Sequence, residues 1–175
     1  MHLARAACGA IVFTLAVAAG VDAQQPQPPD CSAAEHRQFD FWVGTWDVTL
    51  PNGNRAGENR ISLILKDCVL LEEWTGAGGM SGKSYNIWDR TRQVWHQTWV
   101  SDAGALLRLE GKLVDGAMVL EGNTLGANGV TIMNRVTWSQ VGTSPDRVRQ
   151  YWQQSSDGGA TWSAAFDGLY TKRGG

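Results

Sequence analysis

Phe39-Asp-Phe-Trp-Val-Gly-Thr-Trp-Asp-Val48 is the stretch from which the fold can be read. It stands where the first strand of a closed antiparallel barrel would lie. Downstream the chain reads as one short strand after another, nearly all carrying a Trp, Tyr or Phe. A small barrel with aromatic side chains inside is a container. The sequence does not name the contents.

Turn signals recur about every ten to twelve residues from Arg37 onward. They are Asn52-Gly53, Gly78-Gly79, Asp89-Arg90, Asp102-Ala-Gly104, Asp115-Gly116, Asn128-Gly129, Ser144-Pro-Asp146 and Asp157-Gly158-Gly159. Beyond a short turn around Ser32 to Gln38, no amphipathic helix interrupts this rhythm. The reading is all-β: an antiparallel up-and-down meander of about ten strands that closes into a barrel, pairing its last strand with its first and leaving no edge exposed. A barrel of that size has room for one small ligand, whereas side chains can fill a smaller one.

Alternation assigns the faces, because successive side chains of a strand point to opposite sides. Leu107, Leu109 and Leu113 oppose Arg108, Glu110 and Lys112; Ile61, Leu63 and Leu65 oppose Arg60, Ser62 and Lys66. Extended to the other strands, the pattern places Trp46, Val48, Met118, Leu120, Val130, Ile132, Trp138, Val148, Trp152, Trp162, Phe166 and Tyr170 inward. The same phase carries polar residues inside. Glu72 lies between Leu70 and Trp74, Gln97 between Trp95 and Trp99, and Ser84 and Asn86 precede Trp88. Asn134 shares a face with Val136, and Gln150 with Trp152. Buried polar groups are costly unless paired. Such a set among tryptophans is either an internal hydrogen-bond network or a ligand site.

The ends bound the compartment. His2 and Arg5 precede an apolar run from Ala6 to Val21, and Val21-Asp-Ala23 offers small residues for cleavage. Residues 1–23 therefore read as a secretory signal peptide, with an uncleaved anchor as the alternative. Residues 24–36 form a Pro/Gln-rich spacer and lead-in, and 37–175 the barrel domain. The expected location is exported, periplasmic or secreted, with no membrane insertion once the leader is removed. Cleavage would leave Cys31 and Cys68, an even pair that predicts a disulfide in an exported chain. The net charge of −2, without basic runs, gives no footprint for nucleic acid.

Gly44-Thr-Trp46 resembles the Gly-x-Trp signature that opens the first strand of lipocalins and related calycin barrels. The resemblance implies that Trp46 packs across the closed end beneath a basic residue of the last strand, here Lys172 or Arg173. A wider pattern is more specific: Phe39 to Trp46, then Asp67-Cys-Val-Leu-Leu-Glu72 with Trp74, Gly82-Lys-Ser-Tyr-Asn86, and Trp95-His-Gln-Thr-Trp-Val100. It is similar to a family of exported bacterial proteins of unknown function with calycin-like barrels. That implies a fold and a location, and no reaction.

Other motifs bear on chemistry. Ser155, Asp157, Gly159, Thr161 and Trp162 match every fixed position of the Asp-box, Ser-x-Asp-x-Gly-x-Thr-Trp, which recurs in sialidase propellers. Here it occurs once, and its expected role is to brace a hairpin. Gly76 to Gly82 lacks the Gly-Lys-Ser/Thr ending of a phosphate loop and reads as a hairpin at the barrel mouth. After cleavage only His36 and His96 remain, too few for a zinc site, and His96 alternates outward. No nucleophile elbow is present. No metal, cofactor or catalytic residue is predicted. Among Asp40, Glu72 and Glu73, Glu72 would have its pKa raised in an apolar cavity, unless it pairs with Arg135 or Arg149 as structural glue.

The resulting expectation is a monomeric or weakly dimeric barrel that binds a small apolar or amphipathic molecule. Trp74, Trp88, Trp95, Trp99 and Trp152 would supply the wall, and Glu72, Ser84, Asn86, Gln97, Asn134 and Gln150 the polar contacts. Two other readings stay open: an enzyme using an internal carboxylate for isomerase- or cyclase-like chemistry, and a filled interaction module of the cell envelope.

Overall fold

The computed structural model describes residues 30–126 and 129–174. The expected signal peptide (1–23) and residues 24–29 of the expected spacer lie outside the described residues, as does Asn128 of one turn signal. A short helix, α1 (Ala34–Arg37), and a 3-10 turn (Asp40–Trp42) precede the sheet. Ten strands follow: β1 (Gly44–Thr49), β2 (Arg55–Ile64), β3 (Val69–Gly76), β4 (Ser81–Asp89), β5 (Val94–Ser101), β6 (Leu106–Val114), β7 (Ala117–Leu125), β8 (Thr131–Gln140), β9 (Arg147–Ser155) and β10 (Ser163–Lys172).

Each strand pairs antiparallel with its successor, and β10 returns to β1 to close the barrel. Closure runs through Trp46 opposite Lys172 and Val48 opposite Tyr170. Both sides of every strand are thereby hydrogen-bonded, so no edge invites another chain. The hairpins follow their local chemistry. Asn52 accepts the amide of Asn54, and Gly53 supplies a positive φ of 83°. Asp89 accepts the amides of Thr91 and Arg92.

The opening aromatic stretch is not a strand throughout. Asp40–Trp42 coil into the 3-10 turn and β1 begins only at Gly44. The turn carries Phe39 and Trp42 into one end of the barrel, where they bury against Trp46, Trp95, Trp138 and Tyr170. Phe39 stacks on Trp42 at 5.1 Å and meets Trp95 and Trp138 edge-on at 5.6 and 5.2 Å. Tryptophans therefore do two jobs. Those near Phe39 fill one half of the interior, and Trp74, Trp99 and Trp152 line the other half.

Trp46 donates its indole N–H to the Trp42 carbonyl at 2.9 Å. Lys172 Nζ lies 5.5 Å from the Trp46 ring, so Lys172 is the basic partner there. Arg173, one residue out of phase, instead binds Asp47 and Glu58 outside.

The alternation fails at four expected inward positions. Leu65 is 70% exposed, because β2 ends at Ile64 and the chain turns through left-handed Leu65, Lys66 and Asp67. Val130 is 45% exposed and precedes β8. Leu113 is 36% exposed near the end of β6, where the wall runs past the core. Trp162 lies outside, half-buried, with the Arg135 guanidinium 4.3 Å from its ring. Each lies at or near a strand end, where period two stops predicting depth.

Cys31 and Cys68 form a disulfide across 37 residues, tying the lead-in to the residue before β3. Closing a loop of that length stabilises the fold by about 4 kcal/mol in the chain-entropy model. Arg37 donates to the Asp67 carbonyl in the same corner.

Candidate functional site

The half of the barrel away from Phe39 holds a cavity of about 250 Å³. A single water needs only ~10–15 Å³ on this measure. Drug-sized pockets start near ~300 Å³, so the space suits a small organic molecule. The wall includes Trp74, Trp99, Trp152, Phe166, Leu107 and Val136, and Met80 of the β3–β4 hairpin stands at its exposed rim.

The aromatic rings lie back against the wall because glycines leave room for them. A Cβ on Gly57 would come within 2.8 Å of the Trp74 ring, and one on Gly82 within 2.6 Å of the Trp99 ring. A Cβ on Gly168 would come within 2.5 Å of the Phe166 ring. Every one of these contacts is closer than carbon atoms approach without displacement. Glycine under each ring keeps the lumen open.

Polar side chains converge from neighbouring strands. Glu72 on β3 stands opposite Ser84 on β4, and Asn86 opposite Gln97 on β5. Directly opposed residues are the closest side-chain neighbours of a sheet, which explains the chain of bonds. Glu72 accepts from Ser84 Oγ at 2.6 Å and from Asn59 Nδ2 at 2.7 Å. Ser84 accepts from Asn86 Nδ2 at 2.9 Å, and Gln97 Nε2 donates to Asn86 Oδ1 at 2.8 Å. Tyr170 donates to Gln150 Oε1 and receives Asn59 Nδ2 at 3.3 Å.

Among the described residues no Lys, Arg or His balances Glu72. Arg135 binds Glu121 and Arg149 binds Asp167, both on the outer face. The expected pairing of Glu72 with either arginine is therefore incorrect, since odd positions of β8 and β9 point outward. Burial pushes the Glu72 carboxyl above its ordinary range, and the bonds from Ser84 and Asn59 only partly oppose this. Burial, with the neighbouring Glu72 charge, holds the Tyr170 phenol well above its ordinary value.

Six of the expected residues line the cavity: Glu72, Trp74, Gln97, Trp99, Gln150 and Trp152. Ser84 and Asn86 form the layer behind Glu72 and Gln97. Asn134 lies behind Trp152, accepting its indole N–H at 3.0 Å and the Gln154 amide at 2.9 Å. Trp95 belongs to the filled half, and Trp88 packs on it at 6.4 Å while facing an outer groove with His96. Glu73 is outside, paired with Lys83 at 2.8 Å. Asp40 opens the 3-10 turn, 3.4 Å from Arg37.

Asn59 was missed as a site residue. Period two run backward from Ile61 would have found it. Tyr170 and Phe166 carried the inward signal but not the assignment to the cavity. Among the described residues no group of three or more His, Cys, Asp or Glu side chains is placed to hold a metal.

Ser155 to Trp162 forms the β9–β10 connection, outside the cavity. Ser155 Oγ accepts the Gly159 amide at 2.9 Å, and Asp157 accepts the Thr161 amide at 2.9 Å and hydroxyl at 2.6 Å. Trp162 donates to the Gly159 carbonyl at 3.1 Å. These bonds are spent on the hairpin itself.

The molecule is a closed ten-stranded β-barrel with one half filled and one half hollow, consistent with a calycin-like fold. No protein-family model matches the chain, and no curated protein matches it. The likeness to exported bacterial barrels remains a resemblance carried by the quoted motifs.

Proposed function

We propose that this protein binds one small apolar or amphipathic molecule inside the hollow half of its barrel. The observation that carries the reading is the 250 Å³ cavity with an aromatic wall and a few convergent polar groups. Ligand sites generally have that composition. A filled module of the cell envelope would leave room for no more than a water or two. Among the described residues no helix is long and apolar enough to cross a membrane. The disulfide fits an oxidising compartment. With the sequence of residues 1–23, these observations support an exported protein.

A second reading draws on the raised pKa of Glu72, which suits a general acid or base in the same cavity. Both Glu72 oxygens already accept internal bonds, which favours holding a ligand over cycling a proton.

Native mass spectrometry of the processed protein, purified gently after export, tests the binding reading. The expected result is a mass above that of the chain from Gln24, lost on denaturation. A bare chain that also fails to bind the single-ring alcohol 2-phenylethanol in an isothermal titration would overturn it.

A further inference from the structure

The charge balance of the cavity restricts its occupant. Glu72 is buried, lines the cavity, and has no Lys, Arg or His beside it among the described residues. An isolated carboxylate in such surroundings is strongly disfavoured unless a cation or a proton joins it. Its two oxygens offer about four acceptor sites in all. Asn59 and Ser84 take one site on each oxygen.

The surrounding wall is the kind that attracts a cation. Trp74, Trp99, Trp152 and Phe166 line the same cavity, with Trp74 and Phe166 meeting edge-to-face at 6.1 Å. Indole and phenyl faces carry negative potential and bind ammonium groups, most strongly where water is excluded. Trp152 is held by Asn134, and the glycines beneath the other three rings set them against the wall. Tyr170 is the other titratable lining group, and its hydroxyl is already committed to Gln150.

We infer that the preferred ligand is a small amphiphilic amine bound as its cation, the ammonium against Glu72 and its apolar part among Trp74, Trp99, Trp152 and Phe166. The inference rests on the binding reading and adds a charge to its ligand. The ammonium supplies the missing counter-charge, and the rings supply a desolvated cage. Gln97 and Gln150 would accept the remaining ammonium hydrogens. The cavity volume limits the ligand to roughly a single-ring amine.

Isothermal titration of the folded, disulfide-bonded chain with phenethylamine and with its neutral isostere 2-phenylethanol tests this at pH 7.5. Phenethylamine should bind about tenfold more tightly or better. Glu72→Gln should erase the preference while the alcohol binds as before, and circular dichroism of the variant checks its fold. The wild-type comparison stands even if that variant does not fold. Equal affinities in the wild type, or a preference surviving in folded Glu72→Gln, would overturn the inference. 2-Phenylethanol separates the two levels of failure. Binding of that alcohol without amine preference leaves the container standing and rejects the charge; no binding of either probe rejects both.

Discussion

Glu72 is the residue at which stability and site chemistry meet. Its pKa is raised by burial, so the sign of the linkage is fixed. A carboxyl whose pKa is higher when folded contributes its full stability below the ordinary value of 4.5 and loses it as the pH climbs through the raised value. Glu72→Gln should therefore melt at a higher temperature than the wild type above that window and converge with it near pH 3.5. Asn59 makes the substitution tolerable. Its Oδ1 is buried without a partner while its Nδ2 faces the carboxylate. Half a turn of that amide presents the oxygen to the introduced NH₂, and Ser84 keeps its acceptor. Melting curves followed by circular dichroism between pH 3.5 and 8 check this, and parallel curves for the two proteins would count against it. Asn59 was within reach of the alternation; its amide orientation was not, because that depends on strands distant in sequence.

At the scale of single elements, the inward glycines matter as much as the rings above them. β10 shows it most simply, because the nearest atoms to a Cβ on Gly168 are side-chain atoms of Phe166 and Val48. On β2 and β4 the backbone crowds the same position, with Thr75 O at 2.4 Å and Val100 O at 2.9 Å. Gly168→Ala should push the Phe166 ring into the cavity, destabilise the fold by ~1–3 kcal/mol through overpacking, and weaken uptake of 2-phenylethanol. Urea unfolding and an isothermal titration measure the two effects. Unaltered uptake would show that the ring escapes elsewhere. Sequence alternation located Phe166 on the inner face but could not show where its ring rests. That depends on which residue lies beneath it after bulges have shifted the register, as between Ala164 and Phe166.

On the scale of the whole molecule, the barrel is divided between a filled half and a hollow half. The segment just before β1 supplies the filling: Phe39 is fully buried, in contact with Trp42, Trp95 and Trp138, and does not line the cavity. Phe39→Ala should cost ~3–5 kcal/mol of stability yet leave uptake of 2-phenylethanol intact at 25 °C. Loss of uptake in the folded variant would mean that the two halves are coupled. By itself the sequence determined the strand count, the closed meander, the disulfide and the inner face of most strands. These follow from turn residues and from the two-residue period, which are local properties of the chain. The tertiary structure alone turned the opening aromatics into a plug and set three rings flat over glycines. It also sent Arg135 and Arg149 to the outer face, away from Glu72. Those outcomes depend on side chains brought together across the barrel, whose packing no local pattern encodes.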